Sequence, residues 1–196
     1  MPVTMSAVPP ELKEAFLNGL DDFLWTDSKL AASIRTGAQA IQGLPVFTLT
    51  LQNLQRQYQK PTEVARPVGW RLFFRAANEE VAGDVVRSHA GGPPRMTALS
   101  RGQDLAATFD SVRRIPYRPE VQGNEQYELL LLRIPGVNVE GCWLKSSTDS
   151  PALDFFIPII TGMRELETYQ IYRMDDFLSK ARDVADQSRG LRRPAD

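Results

Sequence analysis

A continuous apolar run followed by an alternating one dominates the hydrophobic pattern of this chain. The run Tyr127–Leu144, YELLLLRIPGVNVEGCWL, is punctuated by Pro135 and Gly136. A short, unbroken apolar stretch bounded by turn residues is typical of a strand that is buried on both faces. The pattern therefore predicts two adjacent strands in the interior of a sheet.

Two short amphipathic helices are predicted near the N-terminus. After Pro9-Pro10, apolar residues recur at helical spacing, at Leu12, Phe16, Leu20, Phe23 and Leu24. Either Thr26 or Asp27 then caps a second helix that ends at Gly43. The apolar stripe of this second helix is predicted to comprise Leu30, Ile34, Ala38 and Ile41. Residues 9–43 are therefore expected to form a helical hairpin.

Alternation with a period of two predicts the next elements to be strands. Phe47, Leu49 and Leu51 alternate with polar residues, as in a half-buried strand. The stretch 55–68, rich in Gln and Arg and carrying two prolines, is expected to be a long exposed loop, either a binding segment or a linker. Strands at 70–77, 81–88 and 95–100 are then predicted to form an antiparallel meander.

Helical spacing returns at 104–114 and again near the C-terminus. Ser100 or Gly102 starts the first of these helices. Between the helices, residues 153–160 and 167–173 are predicted strands, and Pro158 indicates an edge position or a bulge because proline cannot donate to the ladder. Asp175 is expected to cap the last helix. Its predicted apolar stripe is Phe177, Leu178, Ala181, Val184 and Ala185.

Together these elements predict an α+β fold. It comprises a mostly antiparallel sheet of about six to seven strands, the N-terminal helical hairpin, one mid-chain helix and one C-terminal helix. Residues 9–187 are expected to form a single domain, with the hairpin at 9–43 and the sheet plus two helices at 44–187. Residues 1–8 and 188–196 are expected to be flexible tails.

Composition narrows the functional class. The chain has 23 basic and 24 acidic residues, a formal charge of −1, so it carries no excess of positive charge to attract nucleic acid. Its longest apolar runs have roughly five or six residues, far short of the ~20 that a membrane-spanning helix needs. One cysteine, Cys142, and no secretory signal pattern favour a reducing compartment. We therefore expect a cytoplasmic protein that binds neither nucleic acid nor membrane.

The sequence contains little recognisable chemistry. Its single histidine, His89, lies beside a Gly-Pro turn and is expected to be a surface residue, whereas Cys142 lies in a predicted buried strand and is expected to be inert. One His and one Cys cannot build a Cys/His zinc site, and no glycine-rich nucleotide motif is present. No metal, cofactor or catalytic residue is therefore predicted.

Charged residues on the predicted strands are the candidates for ligand binding. Glu128 and Glu140 are expected to be cross-strand neighbours around the Pro135-Gly136 turn, with positive partners close by. Two readings stay open: a solvated, charge-paired sheet face, or a polar pocket whose arginines clamp an anionic ligand. The candidate ligand-binding residues are Arg71, Arg75, Glu128, Arg133, Glu140 and Lys145.

Aromatic residues suggest a second type of function. Phe73-Phe74 and Phe155-Phe156 each place one ring on either face of the sheet, so both faces need a cover: helices, a second sheet, another subunit or a ligand. The first hypothesis is a non-catalytic binding or assembly module that acts through its apolar sheet face or its long loop, on a protein partner or on itself as a homo-oligomer. A small-ligand-binding protein or an enzyme is the alternative. The chain resembles bacterial proteins in three short segments: Gly69-Trp70 at the start of a predicted strand, Leu132–Pro135 and Trp143–Lys145. This resemblance implies no functional residue.

Overall fold

The computed structural model describes residues 3–55, 61–75, 79–87, 92–148 and 151–190. The strands are β1 (Val3–Thr4), β2 (Gln42–Thr48), β3 (Arg66–Arg75), β4 (Glu80–Val86), β5 (Arg95–Arg101), β6 (Tyr127–Ile134), β7 (Val139–Ser146), β8 (Phe155–Thr161) and β9 (Tyr172–Arg173). The helices are α1 (Pro10–Phe23), α2 (Ser28–Thr36), α3 (Leu51–Leu54), α4 (Pro61–Val64), α5 (Gln103–Arg114) and α6 (Met174–Gly190). Short 3-10 turns occur at 38–40, 115–117, 119–121, 135–137 and 151–153. The fold class is α+β with mostly antiparallel strand pairing, as predicted.

The chain divides into two compact units that interleave in sequence. The hairpin unit comprises Met5–Val46 and Val68–Ile115. The terminal unit comprises Met1–Thr4, Phe47–Pro67 and Pro116–Asp196. The boundary between them therefore crosses β2 and β3. The predicted single domain of 9–187 stays a prediction.

Helices α1 and α2 cover one face of the hairpin unit's strands. Leu12, Phe16 and Leu20 of α1 pack with Leu72 and Phe74 of β3 in one buried cluster. Asp27 caps α2, because its carboxylate Oδ1 accepts the backbone N–H of Leu30 at 3.1 Å. The helical hairpin was thus predicted correctly, but Phe23 is exposed rather than part of the apolar stripe.

Helix α2 ends earlier than its apolar spacing suggested. Its last residue is Thr36, and Gly37 follows as the C-cap. A β-carbon on Gly37 would lie 2.5 Å from the ring of Phe74, so glycine lets the helix end approach the strand. Ala38 therefore lies in a 3-10 turn and Ile41 in the extended segment before β2, outside the predicted stripe.

The meander of the hairpin unit has the predicted antiparallel pairing. Trp70 pairs with Val85 and Phe74 with Val81 between β3 and β4, and β5 lies on the other side of β4. Phe73 points to the opposite face from Phe74, where its ring meets Phe109 of α5 edge-on at 4.9 Å. The mid-chain helix thus covers the second face of this strand.

The terminal unit is organised by the β6–β7 hairpin. Leu129 pairs with Leu144 and Leu131 with Cys142, and all four side chains are buried. β8 pairs antiparallel with β7, β9 with β8, and β1 runs parallel to β6. The run that predicted two interior strands therefore forms them, and β1 shows that Val3 and Thr4 are not part of a flexible tail.

Pro158 lies at one of the two places predicted for it, a bulge rather than an edge strand, because β7 and β9 flank β8. The register between β7 and β8 shifts where Gly141 pairs with Pro158 and Glu140 with Ile160. The carbonyl of Pro158 accepts the backbone N–H of Tyr169 at 2.7 Å from a loop outside the ladder. In the described part of the chain, β9 pairs only with the first two residues of β8, so the missing N–H of Pro158 costs β8 no hydrogen bond to β9.

Helix α6 covers one face of the terminal unit. The Phe177 ring stacks on Phe156 at 3.8 Å between centroids, and Leu178, Ala181 and Ala185 are buried beside them. The helix begins at Met174, one residue before the predicted cap, so Asp175 lies in its first turn. It extends to Gly190, so residues 188–190 are helical rather than part of a tail, and residues 191–196 lie outside the described part of the chain.

Three further expectations differ from the structure. The strand predicted to run through Leu51 ends at Thr48, because the Thr50 hydroxyl caps α3 by accepting the N–H of Asn53 at 3.2 Å. The predicted loop 55–68 contains α4 and the start of β3, and Val64 and Ala65 are buried. Nine strands, not six or seven, occur in the described ranges. Within those ranges no helix combines the length and apolar character needed to cross a membrane.

Candidate functional site

Two of the six predicted ligand-binding residues, Arg71 and Arg75, lie on the α5-covered face of β3. Arg71 forms a two-pronged ion pair with Asp84 of β4, with Nε–Oδ1 at 2.8 Å and Nη2–Oδ2 at 3.2 Å. Arg75 pairs with the buried carboxylate of Glu80 and lies 3.5 Å from Asp110 of α5. Within the described residues, Oε2 of Glu80 is buried without a hydrogen-bond partner. Both arginines are thus engaged by carboxylates of their own unit.

The other four predicted residues lie on the β6–β7 hairpin. Arg133 lies opposite Glu140 and donates from Nε to Oε2 at 2.6 Å, and both side chains are largely buried. Glu128 lies opposite Lys145. The expectation that Glu128 and Glu140 are cross-strand neighbours was wrong, because each acid faces a base instead. Since 128 and 133 differ by an odd number, the two pairs lie on opposite faces of the hairpin.

These positions favour the first of the two readings, a sheet whose charges are paired. Four of the six side chains belong to the terminal unit and two to the hairpin unit. Every one of them faces an opposite charge across a neighbouring strand. Ligand binding by these residues stays a prediction.

Two side chains with reactive groups remain, Cys142 and His89. Cys142, the one cysteine of the sequence, is buried in β7, and His89 lies outside the described residues. Among the residues that the structure describes, no three His, Cys, Asp or Glu side chains are grouped as a metal site would require.

A buried polar network closes the turn between β7 and β8. Asp154 accepts Trp143 Nε1–H at 2.9 Å and the backbone N–H of Ser146 at 2.8 Å. The Ser146 hydroxyl donates to Glu125 Oε1 at 2.6 Å. This hydrogen bond, helped by Ser147, holds the pKa of Glu125 below its ordinary value, whereas burial raises the pKa of Tyr127. Because the serine is buried and its partners hold the turn, the network is structural.

The tip of the helical hairpin presents aromatic rings to solvent. Trp25, in the turn between α1 and α2, is 80% exposed, and Phe23 at the end of α1 is 38% exposed. Asp21 and Asp22 precede them in the last turn of α1, which has no basic residue. We call Asp21–Trp25 the hairpin tip.

A polar cavity of about 350 Å³ lies in the terminal unit, where the 3-10 turn after Tyr117 meets the loop that precedes β9. We call it the loop pocket. It is lined by Arg118, Glu120, Glu167, Thr168, Tyr169, Gln170 and Ile171. Tyr169 has a φ of 65°, in the left-handed region that few residues other than glycine adopt.

Sequence reasoning missed both surfaces. The spacing of apolar residues indicates which side chains of a helix or strand face a core. Trp25 lies in a turn, where residues have no regular spacing to interpret. A tryptophan between the last apolar residue of one helix and the cap of the next was the available signal. Nothing in the sequence around Tyr169 signals a left-handed backbone, because that conformation depends on partners distant in sequence.

Comparison with known proteins adds no relative: no family model matches the chain, and neither curated proteins nor solved structures give a significant match.

Proposed function

We propose that this protein is a non-catalytic binding module that docks a partner protein on its hairpin tip. The observation that carries the proposal is the 80% exposure of Trp25. A tryptophan left in water gives up the favourable burial of its large apolar surface, unless another molecule covers it. Tryptophan is also the residue type most enriched among interface positions that dominate binding energy.

The sheet faces are less suited to this role. Phe73, Phe74, Trp143, Phe155 and Phe156 are all buried within the folded chain. These aromatic residues, which suggested docking through the sheet, therefore belong to the hydrophobic core. Two exposed rings, Phe23 and Trp25, lie at the hairpin tip instead.

Charge at the tip favours a different protein over a second copy of this chain. Arg35 of α2 pairs with Asp21 at 2.8 Å, whereas within the described residues no ion pair involves Asp22. A two-fold symmetric contact centred on Trp25 would bring Asp22 of one copy towards Asp22 of the other, and like charges repel. The partner is expected to offer an apolar pocket for the indole with a cationic group at its rim.

Site-specific photo-crosslinking in the native cells tests the proposal. Benzoylphenylalanine is placed at Trp25 and, as a matched control, at Tyr117, an exposed aromatic residue of the other unit. We expect one discrete adduct from position 25 that purified unmodified protein competes away. Trp25→Ala protein should compete about 30-fold less well, because a central interface tryptophan contributes about 2 kcal/mol or more.

Three outcomes contradict the proposal: no adduct at position 25, an adduct equally strong at position 117, or full competition by Trp25→Ala protein. Sedimentation velocity over a wide concentration range identifies a second copy as the occupant if the mass rises and Trp25→Ala abolishes the rise. The proposed compartment is the cytoplasm, supported by the single cysteine and its burial.

A further inference from the structure

The loop pocket is built on a residue held in an unfavourable backbone conformation. A left-handed tyrosine costs about 1–2 kcal/mol relative to the right-handed form. Two hydrogen bonds hold Tyr169 there: its N–H donates to the carbonyl of Pro158 at 2.7 Å, and its carbonyl accepts from Nη2 of Arg118. Such strain persists where the surroundings enforce it, often at binding sites.

The same contact fixes the guanidinium of Arg118 in the wall of the pocket. The side chain is half-buried, and its bond to Tyr169 uses one of five N–H groups. The other donors are therefore held in place for a ligand, at little further cost in side-chain entropy. A positioned guanidinium is a good receptor for a carboxylate, which it can bind through two parallel hydrogen bonds.

The pocket also contains negative charge. Glu120 and Glu167 line it together with Arg118, and both are exposed. The backbone N–H of Glu167 donates to the hydroxyl of Tyr172 at 2.9 Å, which ties this end of the loop to β9. A purely anionic ligand would meet two carboxylates, and a purely cationic ligand would meet the guanidinium.

We propose that the loop pocket binds a small zwitterion of the α-amino acid class. Its carboxylate pairs with Arg118 and its ammonium group with Glu120 and Glu167. Thr168 and Gln170 supply neutral hydrogen-bonding groups at the same site. A cavity of about 350 Å³ is large enough for an amino acid. This site is separate from the hairpin tip, and its binding does not depend on Trp25.

Titration of 15N-labelled full-length protein with L-alanine, N-acetyl-L-alanine and L-alanine methyl ester tests the assignment by removing one ligand charge at a time. We expect saturable shifts of the backbone amide signals of Arg118, Glu120 and 167–171 with L-alanine. Either derivative should bind at least 10-fold more weakly. Trp25→Ala protein should bind L-alanine as wild type does, which separates this test from that of the partner site.

Variants locate the binding groups. Arg118→Gln and Glu167→Gln should each weaken L-alanine binding at least 10-fold. Arg164→Gln, which removes an exposed arginine near the same loop but outside the pocket, should not change it. Because Arg118 also holds Tyr169, the Glu167 variant keeps the test valid if the Arg118 variant disturbs the loop. The proposal is overturned if L-alanine causes no saturable shifts, if either derivative binds as well as L-alanine, or if Glu167→Gln binds like wild type.

Discussion

The β6–β7 hairpin and the α1–α2 hairpin treat their tryptophans in opposite ways. Trp143 of β7 is 1% exposed, contacts Phe47 edge-on at 5.7 Å and donates its indole N–H to Asp154. Trp25 is 80% exposed at the tip of the helical hairpin. The Trp143 ring thus packs against residues of its own chain, whereas most of the Trp25 side chain is exposed to solvent.

The charged residues of the two hairpins differ in the same way: those of the β6–β7 hairpin face opposite charges, and those at the end of α1 add to a like charge. On the β-hairpin, Arg133 faces Glu140 and Glu128 faces Lys145, so each charge lies opposite its complement. At the end of α1, Asp21 and Asp22 add negative charge to the negative end of the helix dipole. The β-hairpin follows the usual preferences of folded proteins, with buried aromatic rings and paired charges. The hairpin tip departs from them twice, because its aromatic rings are exposed and its acids lie at a helix C-terminus. Such departures are expected at binding sites.

Substitution of the two tryptophans is expected to give the largest difference in stability between the two hairpins. Trp143→Ala should lower the free energy of unfolding by about 3–5 kcal/mol, because it leaves a cavity and removes the indole N–H that donates to Asp154. Trp25→Ala should change it by less than about 0.5 kcal/mol. Urea denaturation of both variants measures the difference. A loss at Trp25 comparable to that at Trp143 would show that the tip ring is part of the core.

The sequence predicted the β-hairpin well because its information is local and redundant. Eight residues of near-continuous apolar character, a turn signal and a second apolar stretch all indicate the same pair of strands, and the register puts Leu130 opposite Trp143. The α6 stripe was equally clear, since Phe177, Leu178 and Ala181 recur at helical spacing and are buried.

Other features depended on partners that no local pattern contains. The end of α2 at Thr36 reflects the close approach of Gly37 to Phe74, and the end of β2 reflects capping by Thr50. For the candidate sites, the sequence identified the charged strand residues but not their pairing, so Glu128 was matched with Glu140. The loop pocket joins residues 118–120 to residues 167–171, which are nearly fifty positions apart.

Close packing of the β-hairpin can be tested at Gly141. A β-carbon there would lie 2.3 Å from the backbone carbonyl of Ile157, at the β-bulge, so the strands must separate. Gly141→Ala should therefore cost about 1–3 kcal/mol of stability. Gly123→Ala is the matched control, since its β-carbon would meet nothing closer than 4.0 Å. Equal stability of the two variants in urea denaturation would contradict the packing described for β7 and β8.

At the hairpin tip, by contrast, a substitution should stabilise the protein. Asp22→Asn removes a negative charge from the C-terminal turn of α1 and should raise the free energy of unfolding by about 0.3–1 kcal/mol. Glu14→Gln removes the same charge from mid-helix and should have a smaller effect. If the partner has a cationic rim, Asp22→Asn should also reduce the adduct at position 25. Destabilisation by Asp22→Asn would show that this acid serves the fold instead.

The smallest expected effect is on the pH dependence of the protein's stability, through Glu125 beside the β7–β8 turn. The hydroxyl of Ser146 donates to Glu125 and lowers the pKa of that carboxyl in the folded protein from its ordinary value of 4.5. The ionised form therefore stabilises the fold above pH 4.5, and this contribution is lost as the pH falls through the lowered pKa. Glu125→Gln lacks the titrating group, so its free energy of unfolding should fall less steeply with pH below 4.5 than that of the wild type. Ser146→Ala removes the main donor and should make the slope similarly shallow, as urea denaturation at a series of pH values would show. Slopes as steep as the wild type in both variants would mean that this hydrogen bond does not couple the turn to proton binding.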